Sequence, residues 1–125
     1  MGAADARPED QEAYDAMSVE SSYDFIRLLG EVFDVPARSE ELVGELEGQV
    51  AAVEERVGDT PDGERPSVLI AYPGMSMMNA NGLPAVMTGG IYDDVIRRAG
   101  GVNSFEGESS DFTSTINEEQ LASAD

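Results

Sequence analysis

No cysteine, histidine, lysine or tryptophan occurs among the 125 residues of this chain. The missing cysteine excludes disulfides and thiolate metal sites, and leaves the compartment open. The missing histidine removes Ser-His-Asp and Cys-His nucleophiles, together with imidazole–zinc chemistry. Only mechanisms that rely on carboxylates alone remain. The most conspicuous carboxylate pair, Asp93 and Asp94, has a structural reason for its position, given below. Gly89-Gly90 is a doublet without the lysine of a phosphate loop, and reads as a turn into a helix. The chain is expected to be neither an enzyme nor the holder of a cofactor or metal.

Positive charge is scarce as well. Seven arginines face 26 acids, for a formal net charge of -19. Such a surface repels phosphate backbones, so nucleic acid is not expected as a partner. Anionic membrane is disfavoured on the same ground, and solvation of the surface is a sufficient account of the acids. No apolar run approaches the roughly 18 residues of a membrane span. Residues 1–10 carry acids and Pro8 instead of a basic region with an apolar core, so no signal peptide is visible. The length leaves room for about one domain.

The stretch 87–125 carries the most information. Ile91, Val95, Ile96 and Ala99 form one apolar helical face. Asp93 and Asp94 stand in the first turn, and Arg97 and Arg98 in the last. Each acid is four residues from an arginine, and both pairs complement the helix dipole. Gly100 suits a left-handed cap, and Gly101 lets the chain reverse. Asn117, followed by Glu118, Glu119 and Gln120, reads as the cap and acidic first turn of another helix.

Upstream, residues 1–20 read as a polar tail with a helical turn around Tyr14 and Met17. Residues 21–58 form a helical segment. Ser21 or Ser22 caps a first helix to Phe33, with Phe25, Leu29, Val32 and Phe33 on one face. Pro36 suits the first position of a second helix, which runs to Val57. Leu42, Leu46, Val50, Val53 and Val57 give it an apolar stripe, with Leu46, Val50 and Val53 expected inside and Glu47 and Glu54 in solvent. Gly44 and Gly48 either admit another element or merely weaken the helix. Residues 59–66 are a linker whose acids lack calcium-loop spacing. Residues 67–125 open an α/β layer. Ser67 to Tyr72 reads as a parallel strand covered on both faces, and Val102 to Phe105 as a short second one. One good strand cannot build a sheet, so the fold reads as incomplete unless that strand pairs elsewhere.

The segment with binding character is Tyr72 to Thr88, YPGMSMMNANGLPAVMT. It leaves the carboxyl end of the strand, where ligands lie in open α/β sheets. Met75, Met77, Met78 and Met87 are polarizable and adaptable, suited to a large or irregular ligand. Asn79 and Asn81 donate and accept hydrogen bonds without charge, and Tyr72 offers a ring with a polar tip. Methionines after a strand also serve simply to fill the core under a loop.

The order of these pieces resembles the helical-backbone periplasmic binding proteins, the ABC-transporter receptors for iron-siderophores, haem and cobalamin. The resemblance rests on Ala99-Gly100-Gly101-Val102-Asn103, followed by Thr115-Ile116-Asn117-Glu118-Glu119-Gln120-Leu121-Ala122 and Asp125. Asn117 stands where that family usually has serine. Upstream, YDFIRLLG at 23–30 is similar to the end of the first lobe, 31–57 to the helix joining the lobes, and 67–72 to the first strand of the second lobe. The resemblance implies an α/β fold: a partial C-terminal lobe of a two-lobed binding protein with a long inter-lobe helix. It implies capture of a ferric siderophore or similar metal chelate (haem, cobalamin) for an ABC permease. It also implies an extracytoplasmic location, periplasmic or as a membrane-anchored lipoprotein. It adds Asp111, Phe112 and Thr113 as a second ligand-facing patch. The competing reading is a small acidic helical interaction module with no small ligand.

Overall fold

The computed structural model describes residues 8–58, 60–72, 83, 85–107 and 118–123. Helix α1 (Pro8–Asp15) precedes the helical pair α2 (Val19–Val32) and α3 (Pro36–Val57). A 3-10 turn (Asp62–Glu64) leads to β1 (Ser67–Val68) and β2 (Ala71–Tyr72). Strand β3 (Ala85–Val86), helix α4 (Gly90–Arg98), strand β4 (Val102–Asn103) and helix α5 (Glu118–Ser123) follow.

The polar opening stretch is thus helical from Pro8 to Asp15. It is docked rather than loose, because the Tyr14 hydroxyl donates to the Thr88 carbonyl at 2.8 Å. Helix α2 begins a turn before the serines expected to cap it. Ser18 is the cap: its side chain accepts from the Ser21 N–H at 3.2 Å, and the Ser21 side chain accepts from the Ser18 N–H at 2.8 Å. A Ser/Ser box works as the usual Ser/Glu one does, which is why Ser21 looked like a cap in its own right.

The α2–α3 turn closes by two bonds, Val35 N–H to the Gly30 carbonyl at 2.8 Å and Asp34 N–H to the Glu31 carbonyl at 3.2 Å. This is the Schellman pattern, with Asp34 at φ 56 in the left-handed position that glycine normally fills. Pro36 then opens α3 at a position where no N–H is needed. The two helices approach closely where buried Gly30 meets buried Ser39. A side chain on Gly30 would collide with that of Ser39.

That contact rotates the inner line of α3 away from the expected stripe. Val43, one turn beyond Ser39, is fully buried. Leu46 and Val50 are half-buried, while Leu42 and Val53 are exposed, Val53 by 45%. Val53 therefore corrects the packing expected of it, whereas Glu47 and Glu54 do face solvent. The open space around Gly44 and Gly48 fits glycines that weaken the helix, not ones that admit a neighbour.

The run 67–72 is split between two partners. β1 pairs in parallel with β4, Ser67 opposite Val102 and Val68 opposite Asn103. β2 pairs antiparallel with β3, Ala71 opposite Val86 and Tyr72 opposite Ala85. The expected short strand near Val102 is present, and β3 supplies a second partner hidden inside the presumed binding loop. Leu69 and Tyr72 are 46% and 57% exposed, so the run is not covered on both faces. Val86 and Phe105 form a small buried nucleus beside it.

Arg98 joins three helices. Its Nε donates to Asp94 Oδ2 at 3.0 Å on α4, its Nη1 to Glu54 Oε1 at 2.7 Å on α3, and its Nη2 to Glu20 on α2. Among the described residues no helix is long and apolar enough to cross a membrane.

Candidate functional site

The binding segment springs from Tyr72 at the end of β2 and returns at Ala85 in β3, which lie opposite one another. Of the residues selected from sequence, Met75, Met77, Met78, Asn79 and Asn81 lie outside the described residues, as do Asp111, Phe112 and Thr113. Tyr72 and Met87 are described, and they stand at the two roots of the segment. Tyr72 is more than half exposed and presents its ring to solvent. Met87 is half-buried, and its backbone is fixed at both ends. Its N–H donates to the Ile70 carbonyl at 2.8 Å, and its carbonyl accepts from Asn103 Nδ2 at 2.9 Å.

The return root is held by three polar side chains. Asn103, 5% exposed, donates through Nδ2 to Met87 and to Asp93 Oδ1 at 2.7 Å, and its Oδ1 accepts from the Phe105 N–H at 3.1 Å. Thr88 is buried, with its hydroxyl donating to the Phe105 carbonyl at 3.0 Å. Tyr14 reaches the Thr88 carbonyl from α1, and burial, with the nearby Tyr92, Asp93 and Asp15, pushes its phenol up. It therefore stays protonated as the donor this bond requires.

Asp94 anchors the other side of α4. Burial alone would raise its carboxyl. The Val19 N–H at 2.9 Å and the guanidinium groups of Arg98 and Arg97 outweigh that and hold it below the usual range. Of the i, i+4 pairs read from sequence, Asp94–Arg98 forms. Asp93 instead turns to Asn103, and Arg97 joins Asp94.

Sequence reasoning singled out Asn103 only as a motif letter, and missed Thr88 and Tyr14 as anchors. Their signal is weak, because a threonine after a glycine-free strand and a tyrosine in a polar helix carry no spacing rule. The described rim therefore offers an aromatic face, a thioether and uncharged hydrogen bonding over a rigid base. A cavity of about 630 Å³ lies along α4, between Met17, Arg65 and Arg97, and neither Tyr72 nor Met87 lines it. The rim instead marks where the segment leaves β2 at Tyr72 and re-enters at β3.

Neither the comparison with curated proteins nor that with solved structures yields a match. A family model described as periplasmic binding protein matches residues 8–125, from the first turn of α1 onward. The matched span includes the segment between Tyr72 and Ala85, its anchors Asn103 and Thr88, and both α3 and α4. The chain belongs to the periplasmic binding protein family.

Proposed function

We propose that the chain acts in the substrate-binding component of an ABC importer that captures a ferric siderophore or a similar large metal chelate, haem and cobalamin included. Family membership carries the substrate-binding role, the non-enzymatic character and the extracytoplasmic setting. The chelate rests on the methionine-rich segment rooted at Tyr72 and Met87, whose soft and uncharged groups suit a large ligand of irregular outline. In this reading α3 is the helix joining two lobes, and β1 to β4 open the second lobe. Met75, Met77, Met78, Asn79 and Asn81 border the cleft, with Asp111, Phe112 and Thr113 as a second patch along it. The permease is the docking partner, and the receptor is either periplasmic or held at the membrane by a lipid anchor.

The test is ligand binding by the gene's complete product. Quenching of intrinsic protein fluorescence by hydroxamate and catecholate ferric chelates, haem and cobalamin follows that binding. At least one should bind saturably, and Tyr72→Ala with Met87→Ala should weaken it about tenfold or more. Failure of all four classes would overturn the chelate reading.

One observation favours the second reading, an acidic helical interaction module. Phe25, Leu28 and Val32 on α2, with Phe33 at its C-cap, are 59%, 52%, 67% and 70% exposed, an apolar face. A protein partner captured through that face, with no chelate bound, would favour it.

A further inference from the structure

Helix α1 buries little of itself. From Glu9 to Asp15 only Gln11 and Tyr14 are not exposed, so the helix has no apolar face to dock on. Its attachment runs instead through Tyr14 and the turn that follows, and it falls on the start of α4. The Tyr14 hydroxyl donates to the Thr88 carbonyl at 2.8 Å, and the Val19 N–H, at the head of α2, donates to Asp94 Oδ2 at 2.9 Å. Between these two bonds the Tyr14 carbonyl, which accepts from the Met17 N–H at 3.0 Å, lies against Gly90.

Gly89 and Gly90 make room for that crossing. They take φ 77 and φ 50, and a Cβ on Gly90 would lie 2.5 Å from the Tyr14 carbonyl oxygen. A Cβ on Gly89 would lie 3.3 Å from Tyr14 Cε1. Gly89 is the N-cap of α4 and offers no side-chain hydrogen bond to it. The turn from Thr88 into α4 therefore takes part of its fixation from α1, across 74 positions of sequence. Thr88 is buried and directly follows Met87, so a shift of its carbonyl is passed to Met87 through one peptide unit.

We propose that Tyr14 is a positioning residue for ligand capture, holding Thr88 so that the adjacent Met87 keeps the orientation a ligand meets. The inference rests on the function proposed above, in which Met87 stands at the ligand-binding rim. Tyr14 touches no ligand and acts through Thr88 alone. With so little buried surface, α1 undocks more readily than the α2–α3 pair opens. Undocking costs the root one bond and leaves the rest of the fold in place. The docked fraction of α1 then scales the affinity of the rim.

The experiment compares the gene's complete product with its Tyr14→Phe variant, which lacks one hydroxyl. Without ligand, amide hydrogen exchange should quicken about fivefold at Met87 and Tyr92, whose N–H groups bond to the Ile70 and Gly89 carbonyls. Exchange at Val43, buried on α3, should stay as it is. Titration calorimetry with ferric hydroxamate, ferric catecholate, haem and cobalamin should show the affinity for whichever binds falling about threefold or more in the variant. Gly30→Ala, which loosens the α2–α3 crossing instead, should leave that affinity within about twofold. Unchanged exchange at Met87, faster exchange with unchanged affinity, or an equal loss of affinity in Gly30→Ala overturns the proposal. Absence of binding by the unaltered protein overturns the function beneath it, and the role of Tyr14 with it. The exchange measurement needs no ligand, so it tells that failure from a Tyr14 bond that does not hold the root.

Discussion

The side-chain amide of Asn103 donates to the carboxylate of Asp93 at 2.7 Å, tying the strand that follows α4 back to the first turn of that helix. The same nitrogen holds the Met87 carbonyl, so one residue fixes the root of the candidate binding segment to α4. Asn103→Ala leaves the buried Phe105 N–H and the half-buried Met87 carbonyl and Asp93 carboxylate without their partner, and should cost about 2–4 kcal/mol in chemical denaturation. Asn103→Asp places a second carboxylate against Asp93. Its damage should be greatest at neutral pH and shrink below about pH 5, as one acid takes a proton. A pH-independent loss would mean that the two side chains do not face each other.

Gly30 and Ser39 set the spacing of α2 and α3. Gly30→Ala should destabilise by about 1–3 kcal/mol through overpacking, despite the better helix propensity of alanine. Pairing it with Ser39→Gly should recover part of that loss in a double-mutant cycle. Additive losses would show that the helices do not cross there.

Asp34 adopts φ 56 with a side chain that resists it. Asp34→Gly should stabilise by roughly 0.5–1 kcal/mol, read as a higher denaturation midpoint at unchanged slope. Unchanged or lower stability would argue that the carboxylate makes a compensating contact.

Asp94 sets part of the acid limit of stability. Its folded-state carboxyl is below the unfolded value of about 4, so its contribution is present above that value and lost as pH falls through the folded one. Glu20, held down by its own backbone N–H and by Arg98, titrates in the same sense. Asp94→Asn should lower stability at pH 7 by about 2–4 kcal/mol and flatten the acid limb below pH 4. Wild-type and variant curves that fall in parallel would rule out Asp94 as the group responsible.

Helices α2, α3 and α4 are legible in the sequence because apolar periodicity, Pro36 and the Gly100 cap act locally. What periodicity cannot show is which residue faces inward where two helices nearly touch. Ser39 belongs to the inner line of α3 although it is polar, and it carries Val43 inward in place of Leu42. The strand 67–72 is visible as an apolar run. Its division between β4 and β3 depends on pairing over about 35 and 15 residues, which no local signal encodes. Around the site, Tyr72 and Met87 were reachable by residue type and by position after a strand. Thr88, Tyr14 and Asn103 act through long-range bonds to backbone carbonyls, which composition does not reveal.

Because β1 and β4 are joined in parallel, the chain between them must cross over, and the whole candidate segment belongs to that crossover. Within it, the pairing of Tyr72 with Ala85 closes positions 73–84 at their own base. Lengthening such a loop is inexpensive, about 0.6 kcal/mol for each doubling. Insertions and deletions between those two residues thus leave β1, β4 and α4 undisturbed. On the proposed function, the segment that would choose a ligand can therefore vary while the frame that supports it is kept.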